Sequence, residues 1–133
     1  SLRLFAERGY ISSSNWRDSD GPFIHELDGK KIPLVELPKD SIFDDTAYDF
    51  YTDSAPERYE LKSPGEMLEI WKEEFDSLAA EGRMINFVLH PQFIGRVSRV
   101  NMLKELIGYM LSKGAWIATN REAAQWVLKE SGM

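Results

Sequence analysis

The spacing of apolar residues changes character about halfway along the chain, and the second half is the more regular. Met67, Leu68, Trp71, Phe75 and Leu78 recur at three- and four-residue steps, which places them on one face of a helix. Ser63-Pro64-Gly65-Glu66 immediately precedes them and forms a capping box with proline at the first helical position; Gly82 closes the segment. Residues 84–89 are apolar except for Asn86, the pattern of a short strand buried on both faces, and His90-Pro91 ends the run. Ser98 is then expected to cap a second helix with Val100, Leu103, Leu106, Ile107, Met110 and Leu111 inward, stopping at Gly114. Residues 115–118 read as another brief strand, with Trp116 in the core or the wall of a pocket. Thr119-Asn120-Arg121-Glu122 repeats the capping box and opens a last helix with Ala123, Trp126 and Val127 inward. Helix, strand, helix, strand, helix implies right-handed parallel crossovers, so the fold class is α/β, a layer or a barrel.

The first half is less periodic. Leu2, Phe5 and Ala6 have helical spacing up to a stop at Gly9, and Tyr10-Ile11 can begin a strand. Residues 12–21, followed by Pro22, read as a surface loop. Residues 31–37 form a short apolar strand between Asp28-Gly29 and Pro38. Residues 39–62 show no sustained period, and loops this long are usually functional or ordered by their neighbours.

Composition narrows the function classes. With 133 residues and 43% hydrophobic content the chain is globular and at most one domain. A net charge of −6 argues against broad binding to nucleic acid or to an anionic membrane. The absence of cysteine removes thiolate chemistry and cysteine-based metal sites and fits a reducing, cytoplasmic setting. No apolar run approaches the ~18 residues of a membrane span, and no signal-peptide stretch opens the chain. Ser1 leads straight into Leu2-Arg3-Leu4-Phe5, which reads as a cut inside a helix and predicts a fragment.

Two positions fall at the carboxyl ends of predicted strands, where α/β folds collect ligands. His90 is one, and histidine is the side chain best suited to proton transfer near neutral pH. The acidic pair Asp44-Asp45 is the other, and a carboxylate there can fix the tautomer of His90. The ordinary alternatives are a hydrogen-bonded structural histidine and turn-forming aspartates. Arg96 and Arg99 flank a helix start and can meet an anion or pair with loop carboxylates. His25, beside Glu26 in a polar loop, reads as ordinary surface, and two histidines this far apart give no local metal-ligand spacing.

The run Leu89-His90-Pro91-Gln92-Phe93-Ile94-Gly95-Arg96-Val97-Ser98-Arg99, with Ala115-Trp116-Ile117-Ala118-Thr119 after the next helix, resembles the C-terminal part of the polysaccharide deacetylase family. The match is to the branch with bacterial peptidoglycan deacetylase-like proteins and cofactor-free allantoinases. Gly9-Tyr10-Ile11-Ser12-Ser13-Ser14, Val35-Glu36-Leu37-Pro38 with Asp44-Asp45, and Trp71-Lys72-Glu73-Glu74-Phe75 resemble earlier parts of the same pattern. The resemblance implies that residues 1–133 are one partial domain, the C-terminal half of an irregular (β/α) barrel of the NodB-homology type. It implies hydrolysis of a non-peptide C–N bond, most often an N-acetyl amide on an amino-sugar polymer, with allantoinase-like ring opening of a small amide as the alternative. A non-catalytic domain that keeps the fold as an interaction surface is the rival from another class.

Zinc or another divalent metal, held by one Asp and two His, belongs to the complete enzyme in this resemblance, and those ligands are absent from this chain. His90 matches the general acid, Asp45 its orienting partner with Asp44 the less favoured choice, and Arg96, Arg99 and Trp116 are candidates for substrate contact. The chain is therefore expected to be silent alone and to associate with the N-terminal half of its barrel or with a second copy of itself. Residues 14–29 and 39–62 are expected to select the substrate.

Overall fold

A computed structural model describes residues 1–17, 19–49 and 61–133. Asp18 and residues 50–60, which carry parts of the two loops expected to select substrate, lie outside the described residues. The fold is mixed α/β, in two compact units: Ser1–Lys39 with Ile117–Met133, and Asp40–Trp116.

The first unit holds α1 (Leu2–Glu7), β1 (Ser12–Ser13), β2 (Phe23–Leu27), β3 (Lys30–Glu36) and α6 (Asn120–Glu130). Its sheet has the order β1-β3-β2, with β1 parallel and β2 antiparallel to β3. The sheet is thus mixed, and β2 was not expected. Asp28 and Gly29, with φ of 53° and 73°, make the two-residue turn that pairs Leu27 with Lys30. Pairing shifts register between Ile24 and Glu26, opposite the part of β3 that contains Pro33. Proline has no N–H to give to a ladder, so an irregularity there lets it sit in a central strand. Leu34, Val35 and Glu36 are all fully buried, and since successive side chains point to opposite faces, both faces of this end of β3 are covered. Gly9, at φ 77°, lets the chain turn out of α1.

The second unit holds a 3₁₀ turn (Ser41–Phe43), α2 (Thr46–Asp49), α3 (Pro64–Ala80), α4 (Pro91–Ile94) and α5 (Val97–Ser112). Both capping boxes form, at Ser63 with Glu66 for α3 and at Thr119 with Glu122 for α6 in the first unit. Met67, Trp71 and Phe75 of α3 meet Met102, Leu106 and Met110 of α5 in one core with Phe43, Tyr48 and Ile94. The indole Nε1–H of Trp71 and the hydroxyl of Tyr48 both donate to the Ile42 carbonyl, at 2.7 and 2.8 Å. That shared acceptor ties the segment before α2 to α3.

Several expectations change. Residues 84–89 form no regular strand among the described residues; only Val88 pairs, in a parallel bridge with Asp44. A strand buried on both faces needs a ladder partner on each side, and here one bridge is all that is described. Residues 115–118 are likewise not a strand, and Trp116 is 62% exposed rather than core. The cap of α5 is Arg96, not Ser98: the Arg96 carbonyl already accepts from Val100, so Ser98 is inside the first turn. On α5, Leu106 and Met110 are buried as expected, but Ile107 and Leu111 are exposed and the buried stripe is completed by Arg99 and Met102. On α6, Ala124 is buried while Trp126 is exposed, a rotation of the inward face that suits the small side chain lying against a sheet. Among the described residues no helix is long and apolar enough to cross a membrane.

Leu106 is fully buried between α3 and α5. Leu106→Ala is expected to cost about 2 to 5 kcal/mol, read as a lower urea midpoint at unchanged slope.

Candidate functional site

The second unit brings His90, Asp45 and Asp44 together. Val88 donates its amide to the Phe43 carbonyl at 3.0 Å, and its own carbonyl accepts from the Asp45 amide at 3.1 Å. This bridge carries Asp45 to the side of His90. One carboxylate oxygen of Asp45 accepts from the His90 backbone amide at 2.7 Å and the other meets ring Nδ1 at 2.6 Å. A carboxylate only accepts, so Nδ1 carries the proton, and in the neutral ring the lone pair is on Nε2. Asp45 is fully buried, whereas the His90 side chain is 35% exposed. The pair therefore has one end locked in the protein and one end open to a reactant.

Pro91 starts α4 directly after His90, so the chain turns away as soon as the imidazole is placed. The glycine of the run is also required: a Cβ on Gly95 would stand 2.3 Å from the Pro91 carbonyl oxygen, far inside contact distance. Asp44 lies further off, at 3.8 Å from Nδ1, and its carboxylate caps α2 by accepting from the amide and hydroxyl of Thr46. Of the two aspartates, Asp45 makes the contact.

The donor atoms of Asp44, Asp45 and His90 lie within 4.8 Å of one another, close enough to ask whether they hold a metal. They do not fit one in this arrangement. Two ligands each ~2.0–2.2 Å from a tetrahedral zinc stand roughly 3.3 Å apart, and Asp45 and His90 are in direct hydrogen-bond contact at 2.6 Å instead. Both oxygens of Asp45 are already spent on His90.

The arginines separate. Arg96 is exposed at the cap of α5. Arg99 is only 8% exposed; its guanidinium bonds the Lys62 carbonyl and pairs with Asp49. It is turned into the protein, so the expected role in meeting a substrate anion does not follow from its placement. Trp116 is an exposed side chain on the segment after α5.

Sequence reasoning missed two groups. Asp49 was one, although its four-residue step from Asp45 puts both acids on one side of a helical turn. His25 was the other, and it is not surface: it is 5% exposed on β2, with Nε2 2.8 Å from the fully buried Glu36. The Asp28-Gly29 pair after Phe23-Ile24-His25-Glu26-Leu27 was the hairpin signal that locates it. Glu36 also accepts from the Trp16 and Asn15 amides. Burial pushes the Glu36 carboxyl up, but the Trp16 amide, the Ser13 hydroxyl, the Asn15 amide and His25 together outweigh it and hold it below the ordinary range.

Neither a protein-family model nor a curated protein sequence matches the chain. Solved structures do. A protein assigned as a polysaccharide deacetylase from Mycobacterium smegmatis superposes with a TM-score of 0.87 at 25% identity, over 98% of this chain and 45% of its own. A second one assigned in this way, from Pseudomonas aeruginosa PAO1, gives 0.77 at 23% identity over 97% and 43%. The PuuE allantoinase gives 0.72 at 24% identity over 93% and 41%. The resemblance read from the sequence to polysaccharide deacetylases and allantoinases is thus found again in the fold, and the chain spans less than half the length of each of these proteins.

Glu36 has a lowered native pKa, so its contribution is present above the unfolded value near ~4.3 and is lost as pH falls through the native value. Urea titrations between pH 6 and pH 3 should show stability falling below about pH 4.3. Glu36→Gln should flatten that dependence and cost roughly 1 to 3 kcal/mol at neutral pH.

Proposed function

We propose that this chain is the C-terminal part of a hydrolase of non-peptide C–N bonds, in which His90 is the general acid and Asp45 its orienting partner. The observation that carries the reading is the contact between a fully buried Asp45 carboxylate and Nδ1 of a partly exposed His90. Breaking an amide expels an amine, and an amine leaves only when protonated. An imidazolium whose Nδ1–H is held by Asp45 presents its second N–H at Nε2, where that proton can be delivered. Asp45 keeps the ring from turning and fixes which nitrogen faces outward. Similarity to two polysaccharide deacetylases and an allantoinase supports the bond type.

The substrate we favour is an N-acetylated amino-sugar polymer, in line with the deacetylase neighbours. Allantoinase-like opening of a small cyclic amide is the second reading, favoured by the likeness to the PuuE allantoinase. In either case the chain supplies an acid. The base, and the zinc site that the family resemblance implies, would belong to residues outside this chain. Completion by the N-terminal half of the same barrel is the arrangement we favour, with pairing of two copies as the other.

The test is hydrolysis by the complete protein of N-acetylglucosamine oligomers and of allantoin, each followed by product release. His90→Ala in a correctly folded protein should lower turnover roughly 10² to 10⁴-fold on the true substrate. Asp45→Asn should act in the same direction, and Asp44→Asn should have much less effect. An unchanged rate in the His90 variant removes it from the mechanism.

A further inference from the structure

Beneath the Asp45–His90 contact lies a second ion pair that the proposed chemistry does not use. Asp49 is 9% exposed and Arg99 8%. The Arg99 guanidinium reaches from the first turn of α5 to the carboxylate of Asp49 at the end of α2 and to the carbonyl of Lys62, just before α3. It also lies 3.9 Å from the Met67 sulfur, inside the core. Among the described residues neither oxygen of Asp49 receives a well-formed hydrogen bond, so Arg99 is what offsets its charge.

This pair connects to the candidate site in two ways. The first is mechanical. Helix α2 is four residues long, too short to be stable by itself, and it begins immediately after Asp45, whose carbonyl accepts from the Asp49 amide at 3.0 Å. The Asp49 side chain, clamped by Arg99, holds the far end of the turn whose near end aims Asp45. The second is electrostatic. Burial pushes the Asp49 carboxyl up, Arg99 opposes this, the charge of Asp45 pushes it up further, and Arg96 opposes again. The two carboxyl groups thus feel each other, and with Arg99 opposing only in part the Asp49 carboxyl is held above its ordinary range.

We infer that Asp49 and Arg99 are positioning residues for the Asp45–His90 pair: the buried ion pair holds the turn that aims Asp45, and so selects the Nδ1–H tautomer of His90. The inference rests on the general-acid reading of that pair. Losing Arg99 would leave the Asp49 carboxylate uncompensated next to Asp45 and free the end of α2. Losing the Asp49 charge would leave the Arg99 guanidinium to draw Asp45 away from His90. Both changes weaken the same contact.

The test is the ring-nitrogen NMR of the histidine-labelled chain, at a pH where both histidines are neutral. The chain has two histidines, and His25, held by Glu36, serves as an internal control whose pattern should not move. In the unaltered chain His90 is expected chiefly as the Nδ1–H tautomer. Arg99→Met and Asp49→Asn should each reduce the ratio of Nδ1–H to Nε2–H by about tenfold. Should Arg99→Met fail to fold, Asp49→Asn decides, because it keeps the size of the side chain. A folded Asp49→Asn variant with an unchanged His90 ratio would overturn the inference while leaving the general-acid reading in place. An unaltered chain with His90 mainly as the Nε2–H tautomer would instead remove the Asp45 contact, and both ideas with it.

Discussion

A carboxylate with no exposure to water must have its charge answered on the spot, and Asp45 is such a group. Its two oxygens are answered by one residue, through the backbone N–H and the ring of His90, across 45 positions of sequence. That requirement organises the second unit. It explains why a single bridge between Asp44 and Val88 matters in a segment with so little regular strand, since the bridge sets the two residues at hydrogen-bond distance. It also explains why the chain turns sharply at Pro91, which frees the imidazole from any continuing ladder.

The first unit meets the same problem with a different outcome. Glu36 is also fully buried and is also paired with a histidine, but it takes two backbone amides as well. His25 is as enclosed as its partner, so that pair can hold the chain together but has no face for a reactant. His90 keeps a third of its surface open. The same two residue types thus give a structural link in one unit and a proton-transfer candidate in the other, and exposure is what separates them.

Around the site the aromatic core does the anchoring. Trp71 packs edge-on to Phe87 and Tyr48, and the Ile42 carbonyl accepts from both Trp71 and Tyr48, so the segment leading to Asp45 is fastened by hydrogen bonds as well as by apolar area. Superposition at a TM-score of 0.87 with only 25% identity shows that this arrangement of backbone tolerates extensive replacement of side chains.

Local rules were enough for much of this protein. The helices from Ser63 and from Thr119 announce themselves by capping boxes, and the run from His90 to Arg99 carries the family resemblance and the candidate acid in one stretch. The Asp44-Asp45 pair was reachable as its partner from its place after a predicted strand, and the resemblance favoured Asp45; its spacing from His90 carries no local signal. Where the sequence misled, the missing information was contact between distant segments. Apolar runs at 84–89 and 115–118 looked like strands, but a strand exists only by pairing with another, and here the described pairing amounts to one bridge. Trp126 and Leu111 fit a helical stripe by spacing, yet which part of a broad stripe is covered depends on what packs against it. His25 read as a surface group, and Arg99 as able either to meet an anion or to pair with a loop carboxylate, because charge and polarity are local properties. Their burial was decided by Asp49 and Glu36, acids that only the tertiary structure brings within reach.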